Sequence, residues 1–268
     1  MSLDLGIVGN GTIAGLINAR GDYEWFCLPR FDGEPVFNKL LGGGGSFSVW
    51  MEGLSKRTQS YDRNTAILRT RMESEDGAIL EIVDFAPRFE RKGRTFRPVS
   101  LVRRFEVIAG TPQLKISLTP ETDWGGRRLK PIRGVNHVRF VDEEFSFRVT
   151  TDAPVSYILT ETSFVLDKDV TFILGADESL TDSPSVIARD WEERTRQYWA
   201  KWARSLAVPF EQLGLSLLLD PGCLFHCDSA EPALRHGDAG ALYEVGTEYC
   251  GAFQRRPHPA RVRDRTRG

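Results

Sequence analysis

The sequence predicts an all-β fold, an antiparallel β-sandwich, followed by one long α-helix. Between Leu5 and about Ile173, short runs of β-branched and aromatic residues are separated by turn residues, which is typical of antiparallel sandwiches. From residue 184 onward, the apolar period changes from that of a strand to that of a helix. The 268 residues are 41% hydrophobic and 27% charged, a composition that lets a chain bury one sizeable core.

The predicted strands alternate apolar with polar residues, so one face of each contacts the core while the other meets water or a second layer. The clearest runs are 65–72, 78–85, 99–107, 113–118 and 170–174. Turn residues break the pattern at 75–77, 109–112 and 152–154. The sandwich is therefore assigned to residues 1–182.

A helix is predicted within residues 183–208. Ser183 offers an N-cap and Pro184 occupies the first helical position, and apolar residues then recur at helical spacing to about residue 206. The aromatic side chains of this helix are Trp191, Tyr198, Trp199 and Trp202. A helix does not leave so much aromatic surface in water, so this stripe is expected to contact another surface. Two partners stay open, the sandwich itself and a further domain.

Residues 209–268 have a different composition and are expected to be irregular. Every lysine lies at or before Lys201, whereas three of the four cysteines and three of the four histidines lie beyond residue 220. Cys223, His226 and Cys227 are close in sequence, but their spacing fits no common zinc pattern. No metal site is predicted.

Two glycine-rich segments resemble nucleotide-binding motifs only in part. In Gly9-Asn10-Gly11 with Gly15, the third glycine falls one position late for a dinucleotide fingerprint, and a tight hairpin turn explains the segment better. Residues 42–45 lead into Ser46-Phe47 without the Lys-Ser or Lys-Thr step of a phosphate-binding loop, so a flexible loop is expected. The sequence therefore predicts no cofactor.

The charge pattern argues against nucleic acid and membrane partners. The formal net charge is -2, and no polybasic stretch precedes residue 250. The longest apolar run, 213–219, is far shorter than the roughly 18 residues of a membrane span. Because the N-terminus lacks a cationic region followed by a long apolar one, no secretory signal is predicted and a cytoplasmic location is expected.

The most informative segment is residues 17–33. A hairpin turn at 20–22 leads into an aromatic strand, and the chain then leaves the sheet as a rigid loop. Packing explains the aromatic residues, whereas charged residues set between aromatics usually pair with each other or hold a neighbouring surface. The candidate residues of this segment are Trp25, Pro29, Arg30, Phe31 and Asp32. A role in the core and turn and a role at a surface both stay open.

Several stretches match a known family in order and spacing, and the longest are Leu5-Gly-Ile-Val-Gly-Asn-Gly11, Asp22-Tyr-Glu-Trp-Phe-Cys-Leu-Pro-Arg-Phe-Asp32, Phe37-Asn-Lys-Leu-Leu41 and Tyr61-Asp-Arg-Asn-Thr-Ala-Ile-Leu68. On these residues, and on Asp190-Trp191 of the predicted helix, the chain resembles bacterial and archaeal enzymes of glycoside hydrolase family 15, of glucoamylase or trehalase type. The resemblance covers residues 3 to about 211. Gly33 departs from it, since the family usually has serine there.

The resemblance implies an enzyme of two parts, a super-β-sandwich and an (α/α)6 barrel, joined by a linker helix. In such enzymes the barrel holds both catalytic glutamates and hydrolyses α-glucosides, such as trehalose or starch-type oligosaccharides, with inversion. No catalytic residue is implied in the sandwich. The resemblance also implies that loop 25–32 abuts the barrel mouth and walls the substrate pocket, that the aromatic helix face docks on the barrel, and that the α-glucoside binds only in the intact enzyme.

From Gln212 onward the sequence matches nothing in the family. A barrel motif of the family, written with one choice of codons and regrouped in another frame, encodes 212–227 without a mismatch, and a second barrel stretch can encode 253–268 in the same way. The interpretation is that the (α/α)6 barrel is absent and an out-of-frame tail replaces it. The chain alone is therefore expected to be an inactive, truncated product.

Two alternatives compete with this interpretation. The chain could be a structural or binding module that pairs with a separately encoded catalytic barrel, in which case an adjacent reading frame encodes that barrel. It could also be an enzyme in its own right, which would release glucose from maltose or trehalose.

Overall fold

The computed structural model describes residues 4–142 and 146–205. The strands of the first half are β1 (Leu5–Gly9), β2 (Ala14–Asn18), β3 (Tyr23–Leu28), β4 (Glu34–Phe37), β5 (Ser46–Met51), β6 (Leu54–Tyr61), β7 (Leu68–Ser74), β8 (Ile79–Phe85), β9 (Phe89–Arg91) and β10 (Arg94–Phe96). Those that follow are β11 (Ser100–Ala109), β12 (Gln113–Thr119), β13 (Glu121–Thr122), β14 (Arg127–Arg128), β15 (Pro131–Arg133), β16 (His137–Val141), β17 (Ser146–Thr151), β18 (Phe164–Val165) and β19 (Val170–Ala176). The helices are α1 (Val155–Leu159) and α2 (Pro184–Ser205), and short 3₁₀ turns occupy Lys39–Leu41 and Asp123–Gly125. The predicted out-of-frame tail, with its cysteines and histidines, lies outside these ranges.

Two large antiparallel sheets form the molecule within the described ranges. Sheet A has the strand order β1-β2-β3-β5-β12-β18, with β4 paired to β3, and sheet B has the order β15-β16-β17-β19-β11-β8-β7-β6. Two small hairpins, β9–β10 and β13–β14, complete the pairing. The predicted all-β antiparallel fold with one long helix is confirmed. None of the described helices has the length and apolar character that crossing a membrane demands.

The core lies between the inner faces of the two sheets. Strand β7 shows how the sequence pattern produces it, because its buried and half-buried residues alternate along all seven positions. Phe47 of sheet A meets Phe172 of sheet B with ring centroids 5.2 Å apart and rings nearly perpendicular. The fully buried aromatic side chains of this core are Tyr23, Phe26, Phe37, Phe47, Phe105, Phe140, Phe147 and Phe172.

An ion pair is sealed inside this core. Arg103 of β11 faces Asp84 of β8 in register, and its Nε and Nη2 donate to the two carboxylate oxygens at 2.7 and 2.9 Å. Arg103 also donates to the carbonyl of Gly21 at 2.7 Å, and its guanidinium lies 4.4 Å from the Tyr23 ring centroid. Burial raises the pKa of Tyr23 well above its ordinary value, and the nearby Asp84 raises it further. The pair ties sheet B to the turn between β2 and β3.

Helix α2 covers the outer face of sheet B. It begins as predicted, since the N–H groups of Val186 and Ile187 donate to the Ser183 carbonyl at 3.1 and 3.2 Å. Its buried Ala188 packs on an apolar patch of the sheet formed by Ile67, Val83, Phe85, Val102 and Ile173. Apolar contacts therefore hold the helix on sheet B, on the face opposite the core.

Charged side chains clamp α2 to sheet B. Glu192 of α2, only 6% exposed, accepts bonds from Arg69 Nη2 at 3.0 Å and from Arg196 Nη2 at 2.8 Å, and also pairs with Arg104. One carboxylate thus contacts three guanidinium groups. Because the ions are largely withdrawn from water, each depends on its partners for solvation.

Asp62 closes the other side of this cluster. It accepts a bond from Arg69 Nε at 2.7 Å and also pairs with Arg196. Burial opposes the ionisation of Asp62, but the two arginines outweigh it, so the pKa of this carboxyl lies below its ordinary 3.8. The ionised form of Asp62 is therefore the form that the cluster stabilises.

Candidate functional site

Several connections meet at the end of the sandwich where β3 finishes, here called the loop end. It comprises the β1–β2 turn (10–13), loop 29–33, the glycine-rich segment 38–45 and turn 123–125. The N–H of Phe31 donates to the Thr12 carbonyl at 3.1 Å, which joins the first two. The N–H of Gly44 donates to Glu121 Oε2 at 3.0 Å, which joins the glycine-rich segment to β13, the strand that precedes turn 123–125. The antiparallel register of sheet A places these connections side by side.

The structure brings the predicted residues of segment 25–32 to this end. Arg30 and Asp32 pair with each other through Nε to Oδ1 at 3.0 Å and Nη2 to Oδ2 at 3.3 Å, and both side chains are more than half exposed. Phe31 is exposed by 51%, Pro29 is exposed, and Trp25 of β3 is half-buried. The charged residues therefore hold each other in water rather than stabilising the core.

Gly33, the one departure noted from the family pattern, has a local reason. A Cβ at this position would lie 2.4 Å from the Leu28 carbonyl oxygen. A serine here would therefore require the loop backbone to move. The loop conformation and the glycine match each other.

The last turns of α2 also lie at the loop end. Arg88 connects them to the β1–β2 turn: its N–H donates to Thr195 Oγ1 at 3.1 Å, its Nε donates to Tyr198 Oη at 2.9 Å, and its Nη1 donates to the Asn10 carbonyl. Asn10 in turn donates from Nδ2 to the Pro98 carbonyl at 2.8 Å. The helix and loop 29–33 are thus separated only by the β1–β2 turn.

The four aromatic residues of the helix face differ in their surroundings. Trp199 is 1% exposed and packs with Ala66 of the β6–β7 connection, and Trp191 lies against Phe96 with ring centroids 5.6 Å apart. Tyr198 and Trp202 are half-buried and flank Trp199. The stripe packs back on the sandwich, and only Tyr198, Trp202 and Trp191 keep part of their surface free.

Sequence reasoning missed Trp124 in turn 123–125. Asp123 and Trp124 both adopt left-handed backbone angles, with φ of 53° and 54°, and the Trp124 side chain is 66% exposed. Glu34 Oε1 holds the turn by accepting from Thr122 Oγ1 at 3.0 Å and from the Trp124 N–H at 3.3 Å. The ring centroid of Trp124 lies 6.4 Å from that of Trp25. The signal in the sequence was a tryptophan followed by two glycines, which marks a turn.

The glycine-rich segment beside this turn is closely packed around Asn38. Asn38 Oδ1 accepts from the Gly45 N–H at 2.9 Å, and a Cβ on Gly43 would lie 2.0 Å from that oxygen. Glycine is therefore needed at Gly43 for close approach of backbone to side chain, and the flexibility expected of this segment stays a prediction.

The described residues offer little chemistry of other kinds. Burial raises the pKa of the Cys27 thiol to about 12, with a weaker opposing effect from Trp25. This cysteine is therefore a neutral core thiol at neutral pH. Within 4–142 and 146–205, no three His, Cys, Asp or Glu residues come together as they would around a metal ion.

These features define an antiparallel β-sandwich domain with a docked helix and an exposed aromatic end. Residues 4–162 match the family model described as "Trehalase-like, N-terminal", and the chain belongs to this family. The match confirms the resemblance to the N-terminal region of glycoside hydrolase family 15.

Curated relatives are trehalases that are matched over part of their length. The trehalase of Thermoplasma volcanium is 27% identical over 220 residues, which are 75% of this chain and 33% of that protein. Trehalase 1 of Sulfolobus acidocaldarius is 40% identical over 102 residues, 36% of this chain and 18% of that protein. The trehalase of Mycolicibacterium smegmatis is 27% identical over 135 residues, 45% of this chain and 20% of that protein. The chain thus spans a third or less of the length of these relatives.

Proposed function

We propose that this chain acts as the non-catalytic N-terminal domain of a family 15 glycoside hydrolase that cleaves α-glucosides such as trehalose. The loop end would lie against an (α/α)6 catalytic barrel, supplied by the same polypeptide or by a separate one. The observation that carries the proposal is the convergence at the loop end. There, Arg88 joins the last turns of α2 to the β1–β2 turn, which contacts loop 29–33.

The ion pair of loop 29–33 supports a surface role. Arg30 and Asp32 have side chains exposed by 66% and 57%, and such exposed pairs contribute about 0 to 1 kcal/mol to stability. Folding therefore gains little from this pair or from the exposed Phe31 between its members. A neighbouring catalytic part would gain a positioned cation, anion and ring at one place.

The chain by itself is proposed to have no turnover. Hydrolysis with inversion requires a general acid and a general base on either side of the scissile bond. The family resemblance assigns both to the barrel, so the sandwich would shape the pocket without taking part in proton transfer.

The experiment uses the trehalase of Thermoplasma volcanium, the relative matched over most of this chain. The residues aligned with Arg30 and Asp32 are replaced by alanine, and kcat, KM for trehalose and Tm are measured. The control replaces the residue aligned with Arg189, whose side chain on α2 is exposed by 60%. We expect kcat/KM to fall about tenfold in the loop variant with Tm nearly unchanged, and both to stay unchanged in the control. Equal activity in the two variants would remove the proposed role of the loop.

Two sequence-based expectations join this proposal. The frame change in the segment beyond residue 211 is tested by sequencing the DNA across codon 212. An uninterrupted tail without barrel codons in another frame would refute it. The cytoplasmic location is tested by cell fractionation.

A further inference from the structure

We propose that the exposed ring of Trp124, with the Trp25 ring 6.4 Å away and tilted by 50°, forms an aromatic platform on which a glucosyl ring of the α-glucoside packs. The inference deepens the proposed function and rests on it for the class of ligand. It gives the sandwich its own contact with the sugar, whereas the family resemblance placed binding in the intact enzyme alone.

Trp124 is displayed by an unfavourable backbone conformation. Two consecutive residues other than glycine, Asp123 and Trp124, are held in the left-handed region, which disfavours side chains with a Cβ. The turn nevertheless leaves the indole 66% exposed, so burial of the side chain does not offset the backbone strain. Strained residues that hold an apolar side chain in water are typical of binding surfaces.

Hydrogen bonds and ion pairs anchor the turn that carries Trp124. Glu34 Oε1 accepts from Thr122 Oγ1 and from the Trp124 N–H, and Arg127 Nε pairs with Asp123 Oδ2 at 3.1 Å. Arg127 is itself fixed by Asp142 at 2.8 Å. The ring is therefore held in place before a ligand binds. Such preorganisation lowers the entropic cost of binding.

Polar side chains lie near the turn that carries Trp124. One carboxylate oxygen each of Glu34 and Glu121 accepts no hydrogen bond from the described residues. Asn38 Nδ2 is buried without an acceptor in the same part of the chain, and it faces the turn: a Cβ on Gly125 would lie 3.1 Å from this nitrogen and 3.4 Å from Glu121 Oε2. The carboxylates of Glu34 and Glu121 thus supply hydrogen-bond acceptors beside the turn that carries the platform.

This combination favours a sugar over a protein partner. A glucosyl ring has C–H faces that pack on an aromatic ring and a rim of hydroxyl groups that bond to carboxylates and amides. Protein interface cores are instead depleted of glutamate and aspartate. Here Glu34, Glu121 and Asp123 all lie near the turn of Trp124, so at this part of the loop end the hydroxyl rim of a sugar fits better than the apolar core of a protein interface.

The experiment measures sugar binding to the purified 268-residue protein by saturation-transfer NMR, with trehalose and maltose as ligands and sorbitol as an acyclic control. Trp124→Ala is compared with Trp50→Ala, because Trp50 is also exposed, by 53%, on sheet A, but its ring lies 5.9 Å from Lys115 Nζ and outside the loop end. Trp124→Phe keeps a ring at the site and shows whether the turn survives substitution.

We expect millimolar binding of trehalose or maltose, about tenfold weaker in Trp124→Ala, within about twofold of wild type in Trp50→Ala, and largely retained in Trp124→Phe. Absence of saturable binding by the wild-type protein overturns the inference, as does equal binding by the two alanine variants. The loss of activity in the loop variant of the relative is measured separately, so failure of the platform and failure of the proposed function remain distinguishable.

Discussion

The contact between α2 and sheet B, here called the α2 contact, and the loop end contain the same residue types in opposite surroundings. At the α2 contact, Trp199 is 1% exposed and Glu192 meets three arginines away from water. At the loop end, Trp124 is 66% exposed and the Arg30–Asp32 pair stands in solvent. Breaking a buried ion pair is far costlier than breaking an exposed one. Aromatic and charged residues therefore stabilise the fold in one region, whereas in the other they serve recognition only under the proposed function, and substitutions can separate the two.

The largest expected effect is that of Trp199→Ala. Removing a fully buried indole leaves a cavity between α2 and the β6–β7 connection, so the free energy of unfolding should fall by about 3 to 5 kcal/mol. Urea unfolding followed by circular dichroism measures it. Trp124→Ala is the matched control and should change stability by less than about 0.5 kcal/mol. Similar losses in both variants would erase the contrast between the regions.

The next effect is that of Glu192→Gln. It leaves three arginines with a neutral partner, but Arg69 and Arg196 keep part of their surface in water, so a loss of about 2 kcal/mol is expected. Glu193→Gln on the next residue is the control, because the Glu193 side chain is 60% exposed. Equal stabilities of the two variants would show that the ion cluster does not hold the helix.

A smaller effect concerns the pH dependence that Asp62 confers. Its pKa in the folded protein lies below the ordinary 3.8, because Arg69 and Arg196 outweigh the opposing effect of burial. Its contribution is therefore fully present above the unfolded value and is lost as pH falls through the lower folded value. The stability difference between wild type and Asp62→Asn should stay constant from neutral pH to about pH 5 and shrink below 3.8. Thermal unfolding between acid and neutral pH measures it, and a difference that grows toward acid would contradict the ion-pair account.

The smallest effect is the coupling between Arg30 and Asp32. A double-mutant cycle with alanine at both positions should give about 0 to 0.5 kcal/mol, because both side chains are largely in water. A coupling above about 1.5 kcal/mol would mean that the pair stabilises the fold, which would bring the loop end closer to the α2 contact in character.

The sequence predicted what depends on local pattern. Alternation identified strands such as β7, and Ser183-Pro184 marked the start of α2. The aromatic stripe predicted that α2 would be covered, but the partner of Trp199 is Ala66, more than a hundred residues earlier, and a pattern cannot supply that pairing.

The parts that escaped prediction depend on long-range or special geometry. Helix α1 has five residues, too few for a helical period. The exposure of Trp124 follows from left-handed backbone angles stabilised by Glu34, 90 residues earlier. For loop 29–33 the sequence left a core role and a surface role open, whereas Glu121 and Asn38 come together only through the pairing of β5 with β12 and the turns that flank it.

The most direct test of the central claim, that this chain is a non-catalytic N-terminal domain, is glucose release from trehalose by the purified protein. We expect no release above that of a mock preparation, because the acid and base are assigned to a separate catalytic part. Sustained release that copurifies with the chain through successive columns would contradict the account.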